Sequence, residues 1–223
     1  MSPDDPHQGI YTGDARELAR AIPDESVDLI FTDPVYDRID DYRWLAETAV
    51  RALKPDSACL VWVATPLLPD VIKSINGQLT WRWQLIHYKP GRVVEKFGAA
   101  GFCKYEILLW YDKGRLPRRR WMDVFQSMPF QSKLPQSLNH DWSKDPDALA
   151  KVVEHFSKIG QILFDPFTGG GTVPAVCKML GRRWLAFEID PGTAERARER
   201  VRLTQPPLFV PEPEQLMFSE MAT

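Results

Sequence analysis

The run Phe164-Asp165-Pro166-Phe167-Thr168-Gly169-Gly170-Gly171-Thr172 turns the chain from an apolar strand, residues 161–164, into a helix that closes at Gly181. Only one further strand, residues 184–189, and one charged helix, residues 193–203, come after it. Two strands are too few for an open α/β sheet covered on both faces, so the rest must come from upstream. Apolar runs at 10–12, 27–32, 58–63, 79–87 and 105–111 supply them, alternating with helical spacing at 15–22, 40–53 and 67–75. Asp145-Pro146 then reads as the cap and first position of a helix reaching about residue 156. The expected fold is α/β: a doubly wound, Rossmann-like sheet flanked by helices, with its segments cyclically rearranged relative to the common order.

Residues 10–203 read as one domain, with 1–9 a flexible N-terminus and 204–223 a weakly packed tail. Residues 113–144, rich in Pro, Ser, Gln and Arg, read as a small insertion. An apolar fraction of 44% and a charged fraction of 26% are those of a soluble globular protein. No apolar stretch approaches a bilayer span, and the acidic, proline-rich start is unlike a signal peptide. Cys59, Cys103 and Cys177 form no CxxC pair and the four histidines add no ligand spacing. Neither a metal site nor a disulfide framework is therefore expected, and a reducing cytoplasm fits. The net charge is only −2, yet residues 81–120 hold ten basic against three acidic residues. Lys89, Arg92, Arg115, Arg118, Arg119 and Arg120 are the candidates there for neutralising phosphates.

A second motif, Asp33-Pro34-Val35-Tyr36, follows the strand at 27–32. Ligands bind outside the carboxyl ends of strands in an open parallel sheet, so the two loops form two halves of one site. The glycine-rich half suits an adenosine-containing cofactor: small residues let the backbone approach, and Glu188, ending the next strand, can take ribose hydroxyls. Pro174 stands where a dinucleotide motif has its third glycine, and Asp165 would repel a pyrophosphate but attract a cationic amino-acid moiety. S-adenosylmethionine therefore fits better than NAD. The other half offers a carboxylate, a rigid carbonyl and an aromatic face. The exocyclic amino group of adenine or cytosine is a poor nucleophile because its lone pair is conjugated with the ring. Hydrogen bonds to Asp33 and the Pro34 carbonyl would free that lone pair, and Tyr36 could stack on a base taken out of the duplex.

With both motifs read, the chain resembles the DNA amino-methyltransferases of the N6-adenine and N4-cytosine family, in the β-class order where the catalytic motif precedes the cofactor motif. Gly13-Asp14, Ser26 through Ile30, Leu53-Lys54-Pro55 and Trp142-Ser143-Lys144 extend the resemblance from about residue 10 to 203. It implies catalytic roles for Asp33, Pro34 and Tyr36. It also implies S-adenosylmethionine contacts by Asp165, Pro166, Phe167, Gly169, Gly171, Thr172 and Glu188, with Asp14 near the adenine and Lys144 near the cofactor carboxylate. DNA is the implied partner, adenine N6 the implied acceptor because aspartate heads the catalytic motif, and a bacterial or phage-infected cell the setting, within restriction–modification. Val35 departs from the family's second proline, and the insertion is small for target recognition, which a short site, loose specificity or a homodimer would accommodate. The alternatives are N4-cytosine transfer, a non-catalytic cofactor- or DNA-binding subunit, and a Rossmann dehydrogenase. A C5-cytosine enzyme needs a cysteine nucleophile, usually after proline, and none of the three stands there.

Overall fold

A computed structural model describes residues 8–90, 94–95, 102–114, 122–127 and 144–206. Its centre is an eight-stranded sheet in the order β1-β10-β9-β2-β3-β7-β4-β8. The strands are β1 (Gly9–Thr12), β2 (Val27–Thr32), β3 (Leu53–Val63), β4 (Thr80–Tyr88), β7 (Tyr105–Lys113), β8 (Val124–Gln126), β9 (Ile162–Asp165) and β10 (Arg183–Glu188). A separate antiparallel pair joins β5 (Val94–Glu95) to β6 (Phe102–Cys103). In the main sheet β7 alone runs against the others, antiparallel to both β3 and β4.

Alternating side chains of the strands build two cores. On one face Ile30, Val61, Leu109 and Phe164 meet α1 (Ala15–Leu18), α2 (Ile39–Ala52) and α3 (Leu68–Ile75). On the other, Leu29, Phe31, Leu60 and Leu163 meet α4 (Pro146–Phe156) and α5 (Thr172–Met179). This period-two division explains why β2 reads as a continuous apolar run: both its faces are covered. The α/β architecture with helices on both faces is the expected one.

Local departures have local causes. The helix expected to reach Leu53 stops at Ala52, and β3 starts at once with Leu53 already extended. Pro55 lies inside β3, but the β2–β3 register shifts between Val27 and Leu29, so this residue without an N–H is excused from the ladder. Residues 124–126, expected within the insertion, form β8 and extend the main sheet beside β4. The last helix, α6 (Pro191–Leu203), is charged as expected, yet Ala194, Ala197, Arg200 and Val201 are buried. Its small residues let it lie close to the glycine-rich turn, where Arg200 donates to Thr172 Oγ1 at 2.6 Å.

The strand order fixes where a ligand can bind. From β9 the chain leaves through α5 to β10 on one side, and from β2 through α2 to β3 on the other. The neighbours β2 and β9 thus form the topological switch point, where the carboxyl ends open into a crevice. Register pairs Leu29 with Leu163 and Ile30 with Phe164, bringing the Asp33 loop and the glycine-rich turn to the same level.

Two glycines of that turn serve different ends. Gly171 has φ +75° and a Cβ there would come 2.8 Å from Ala197 Cβ, whereas Gly169 has φ +50° and open space around it. Gly171→Ala should cost about 2–4 kcal/mol, from left-handed strain plus overpacking against α6. Gly169→Ala should cost only about 1–2 kcal/mol, from strain alone. Urea unfolding of both variants measures the difference, and equal losses would show that α6 gives way.

Candidate active site

Lys144 lies at the centre of the crevice, just ahead of α4. Its Nζ is 3.0 Å from Asp33 Oδ2 and 3.0 Å from Glu106 Oε2, and it donates to the Tyr36 hydroxyl oxygen at 3.2 Å. The same ammonium sits 4.5 Å from the centre of the Trp62 ring. Burial alone would lower its pKa, but Asp33, Tyr36 and Glu106 override this and hold the amine charged. Burial and the Asp33 charge push the Tyr36 phenol up, so it stays neutral. Asp33 Oδ1, by contrast, is buried with no hydrogen-bond partner among the described residues. A buried acceptor left in that state costs about 1–3 kcal/mol, and an N–H brought to it would relieve the cost.

Behind Lys144, Glu106 on β7 accepts from a second ammonium, Lys89, at 2.6 Å, and lies 3.5 Å from His87 Nδ1. Burial would raise the Glu106 carboxyl, yet His87, Lys144 and Lys89 together hold it well below the usual carboxylate range. His87, fully buried and stacked on Phe125, shares a 2.7 Å hydrogen bond with Ser127 Oγ, and burial favours its neutral form.

The glycine-rich half meets the strand that leads to the Asp33 loop through a buried contact: Thr32 Oγ1 donates to Asp165 Oδ1 at 2.7 Å. Asp165 has lost its water, which raises its carboxyl to about 7 despite hydrogen bonds from Thr32 and the Phe167 N–H. A cation is the ligand that would restore its charge. Gly169 N–H donates to Glu188 Oε2 at 3.0 Å and Gly171 N–H to the Thr168 carbonyl at 2.9 Å. These amides are therefore spent within the turn, which shapes the pocket more than it donates to a ligand. Glu188 also accepts from Asp190 N–H at 2.9 Å, and each of its oxygens keeps a lone pair for a hydroxyl.

Two adjoining cavities share Asp33, Phe167 and Gly169 as walls. One, of about 200 Å³, adds Trp62, Lys144, Asp165 and Thr172. The other, of about 240 Å³, adds Asp14, Arg16, Pro166, Glu188 and Ile189. Together they have the size of a small-molecule site. The Asp14 carboxylate caps α1 by accepting from Arg16 N–H at 2.8 Å, which fixes it at the rim. Val35 is 56% exposed at the mouth of the second cavity, and Arg38 N–H closes the turn on its carbonyl at 3.2 Å.

The expected residues Asp14, Asp33, Tyr36, Lys144, Asp165, Pro166, Phe167, Gly169, Thr172 and Glu188 thus converge, with Gly171 supporting the turn. Lys144 lines the cavity that Asp165 and Thr172 also line, and there it is engaged by Asp33 and Glu106. Lys89 turns inward to Glu106 rather than outward to a phosphate, because the buried carboxylate needs its charge. Arg92, Arg115, Arg118, Arg119 and Arg120 lie outside the described residues. Glu106, His87, Trp62 and Ile189 were missed. A signal existed for Glu106 alone, a carboxylate directly ahead of the apolar residues 107–111. Cys59 and Cys177 are buried within the sheet and α5, and burial lifts the Cys59 thiol to about 12, so neither offers a thiolate.

The N6/N4 methylase family model, described as DNA methylase, matches residues 27–199. The type II methyltransferase M.BamHI of Bacillus amyloliquefaciens is 25% identical over 86% of this chain, which spans only 56% of that protein's length. M.HinfI of Haemophilus influenzae, also a type II methyltransferase, is 24% identical over 88% of the chain and 69% of its own length. Among solved structures, a complex of M1.HpyAVI with SAM superposes with a TM-score of 0.73 at 19% identity, covering 87% of this chain and 99% of that one. The PvuII DNA methyltransferase, cytosine-N4-specific, gives 0.73 at 18% identity, covering 86% of each.

Asp165 leaves a measurable trace in stability. Its folded pKa of about 7 lies above the unfolded value of about 3.9, so its contribution is fully present below pH 4 and is lost as pH rises through 7. Asp165→Asn should therefore gain stability relative to the unmodified protein between pH 5 and pH 8. Thermal unfolding of the two across that range checks it, and a constant difference would contradict a buried, proton-binding carboxyl.

Proposed function

The chain belongs to the N6/N4 DNA methylase family, and we propose that it transfers a methyl group from S-adenosylmethionine to the exocyclic amino group of adenine in DNA. The observation that carries this reading is Asp33 Oδ1, a buried acceptor with no donor among the described residues, on the loop at the switch point and on the wall shared by both cavities.

The residues present fit the cofactor. Asp165 offers a buried carboxylate to a cationic amino-acid moiety, and Glu188 a hydrogen-bonded carboxylate to a ribose diol. Phe167, held edge-on against Trp44 at 5.7 Å, separates the two compartments. S-adenosylmethionine supplies a methyl group activated by its sulfonium centre. The chain's own task is to prepare the acceptor. Asp33 Oδ1 takes one N–H of the amino group and the Pro34 carbonyl the other, drawing the nitrogen toward tetrahedral geometry and freeing its lone pair. Tyr36, neutral and fixed by Lys144, supplies the face on which an extruded base stacks.

Cytosine N4 is the second reading, favoured by the equal superposition on a cytosine-N4-specific enzyme. Both amino groups satisfy the same two acceptors. Aspartate at position 33 favours adenine. Recognition of a DNA sequence falls to residues 113–144 and the basic residues beside them, and pairing with a restriction endonuclease follows from the type II relatives.

Incubation with DNA and methyl-labelled cofactor, followed by nucleoside mass spectrometry, is expected to place label in N6-methyladenine. Label in N4-methylcytosine would establish the second reading, and no label in any base would sink both. Asp33→Ala should lower the rate about 10²–10³-fold, the usual effect of deleting one preorganised hydrogen-bonding group, with cofactor affinity nearly unchanged.

A further inference from the structure

Glu106 touches neither Asp33 nor the glycine-rich turn, yet it sits one contact behind both catalytic side chains. We infer that Glu106 is a positioning residue for the transfer site: by accepting one N–H of Lys144, it keeps that ammonium off Asp33 Oδ1, the oxygen left for the target amino group. The inference rests on the function proposed above.

An ammonium carries three donors and no acceptor. Around Lys144 Nζ there are three acceptors at hydrogen-bond distance, Asp33 Oδ2, Tyr36 Oη and Glu106 Oε2, and the Trp62 ring closes a further side. Two N–H groups are donated to Tyr36 Oη and Glu106 Oε2, and the ion pair with Asp33 Oδ2 pins the charge at one edge of that carboxylate. Remove Glu106 and one donor is released in a buried site. Asp33 Oδ1, the other oxygen of the carboxylate that Lys144 already binds, has no partner among the described residues and would take it. A lysine forked across both oxygens would occupy the acceptor that the amino group needs.

Glu106 is itself built in to hold this position. Lys89 binds its other oxygen, Oε1, at 2.6 Å, and the β4–β7 register sets it opposite His87. Two carboxylates, Asp33 and Glu106, face two ammoniums, Lys144 and Lys89, so the cluster is neutral with His87 uncharged. Lys144 also cannot drift along the chain, because the next residue, Asp145, caps α4 by accepting from Asp147 N–H at 3.0 Å.

The test uses the full chain, with Glu106→Met, Lys144→Met and the double variant. Glu106→Met should lower kcat for DNA methylation at least tenfold and leave the dissociation constant of S-adenosylmethionine within twofold. In the Lys144→Met background the same Glu106 change should lower kcat no further, since no ammonium remains to be held back. A purely structural role predicts multiplying losses and weaker cofactor binding, and either result overturns the inference. In protein labelled with 15N-lysine, the Nζ signal absent from Lys144→Met should move in Glu106→Met, because one of its acceptors changes from Glu106 to Asp33 Oδ1. If the unmodified protein labels no DNA, the proposed function falls, while an unmoved Nζ signal would overturn this inference by itself. Should Glu106→Met fail to fold, Glu106→Gln is read in its place, with its neutral, weaker acceptor expected to lower kcat at least threefold and unchanged kcat counting against the inference.

Discussion

The short parallel pairing of β2 with β9, closed by the hydrogen bond from Thr32 to Asp165, is the contact on which the rest of the site depends. It joins segments more than a hundred residues apart and puts their carboxyl ends side by side. The two central loops hang from those ends: the Asp33–Tyr36 loop from one, the glycine-rich turn from the other. The connections diverge from this point, so neither of them crosses the gap between the two strands. A crevice is a geometric consequence of that divergence.

Around the crevice the protein keeps several charges away from water, and each is matched differently. Asp33 and Glu106 are balanced by Lys144 and Lys89, a cluster in which every charge has an opposite neighbour at about hydrogen-bond distance. Removing one member of such a cluster is costly because it leaves a buried charge alone. Among the described residues no cation pairs with Asp165, and burial leaves it with a raised pKa despite its hydrogen bonds. A cationic ligand at Asp165 would bring the countercharge that Asp33 and Glu106 already have.

Much of the fold was legible because its signals are local. The strand at Val27–Thr32 is mostly apolar, the capped helix at Pro146 carries its own start signal, and the glycine-rich turn announces a change from strand to helix. The burial of α6 was not legible, because its charged pattern hides a stripe of alanines whose only function is to permit close approach. The inward turn of Lys89 was equally hidden: a lysine after a strand looks exposed until the carboxylate across the β4–β7 register is known.

The sequence by itself determined the two loops, their order and the chemistry each can support, since strand patterns, an Asp-Pro turn and a glycine run are short-range features. Tertiary structure alone decided which residues share the site's charge. Lys144, Glu106, His87 and Lys89 come from the start of α4, β7 and β4, and only the sheet order brings them within hydrogen-bond reach. Pairing among buried charges is a property of distances in space, and spacing along the chain carries no record of them.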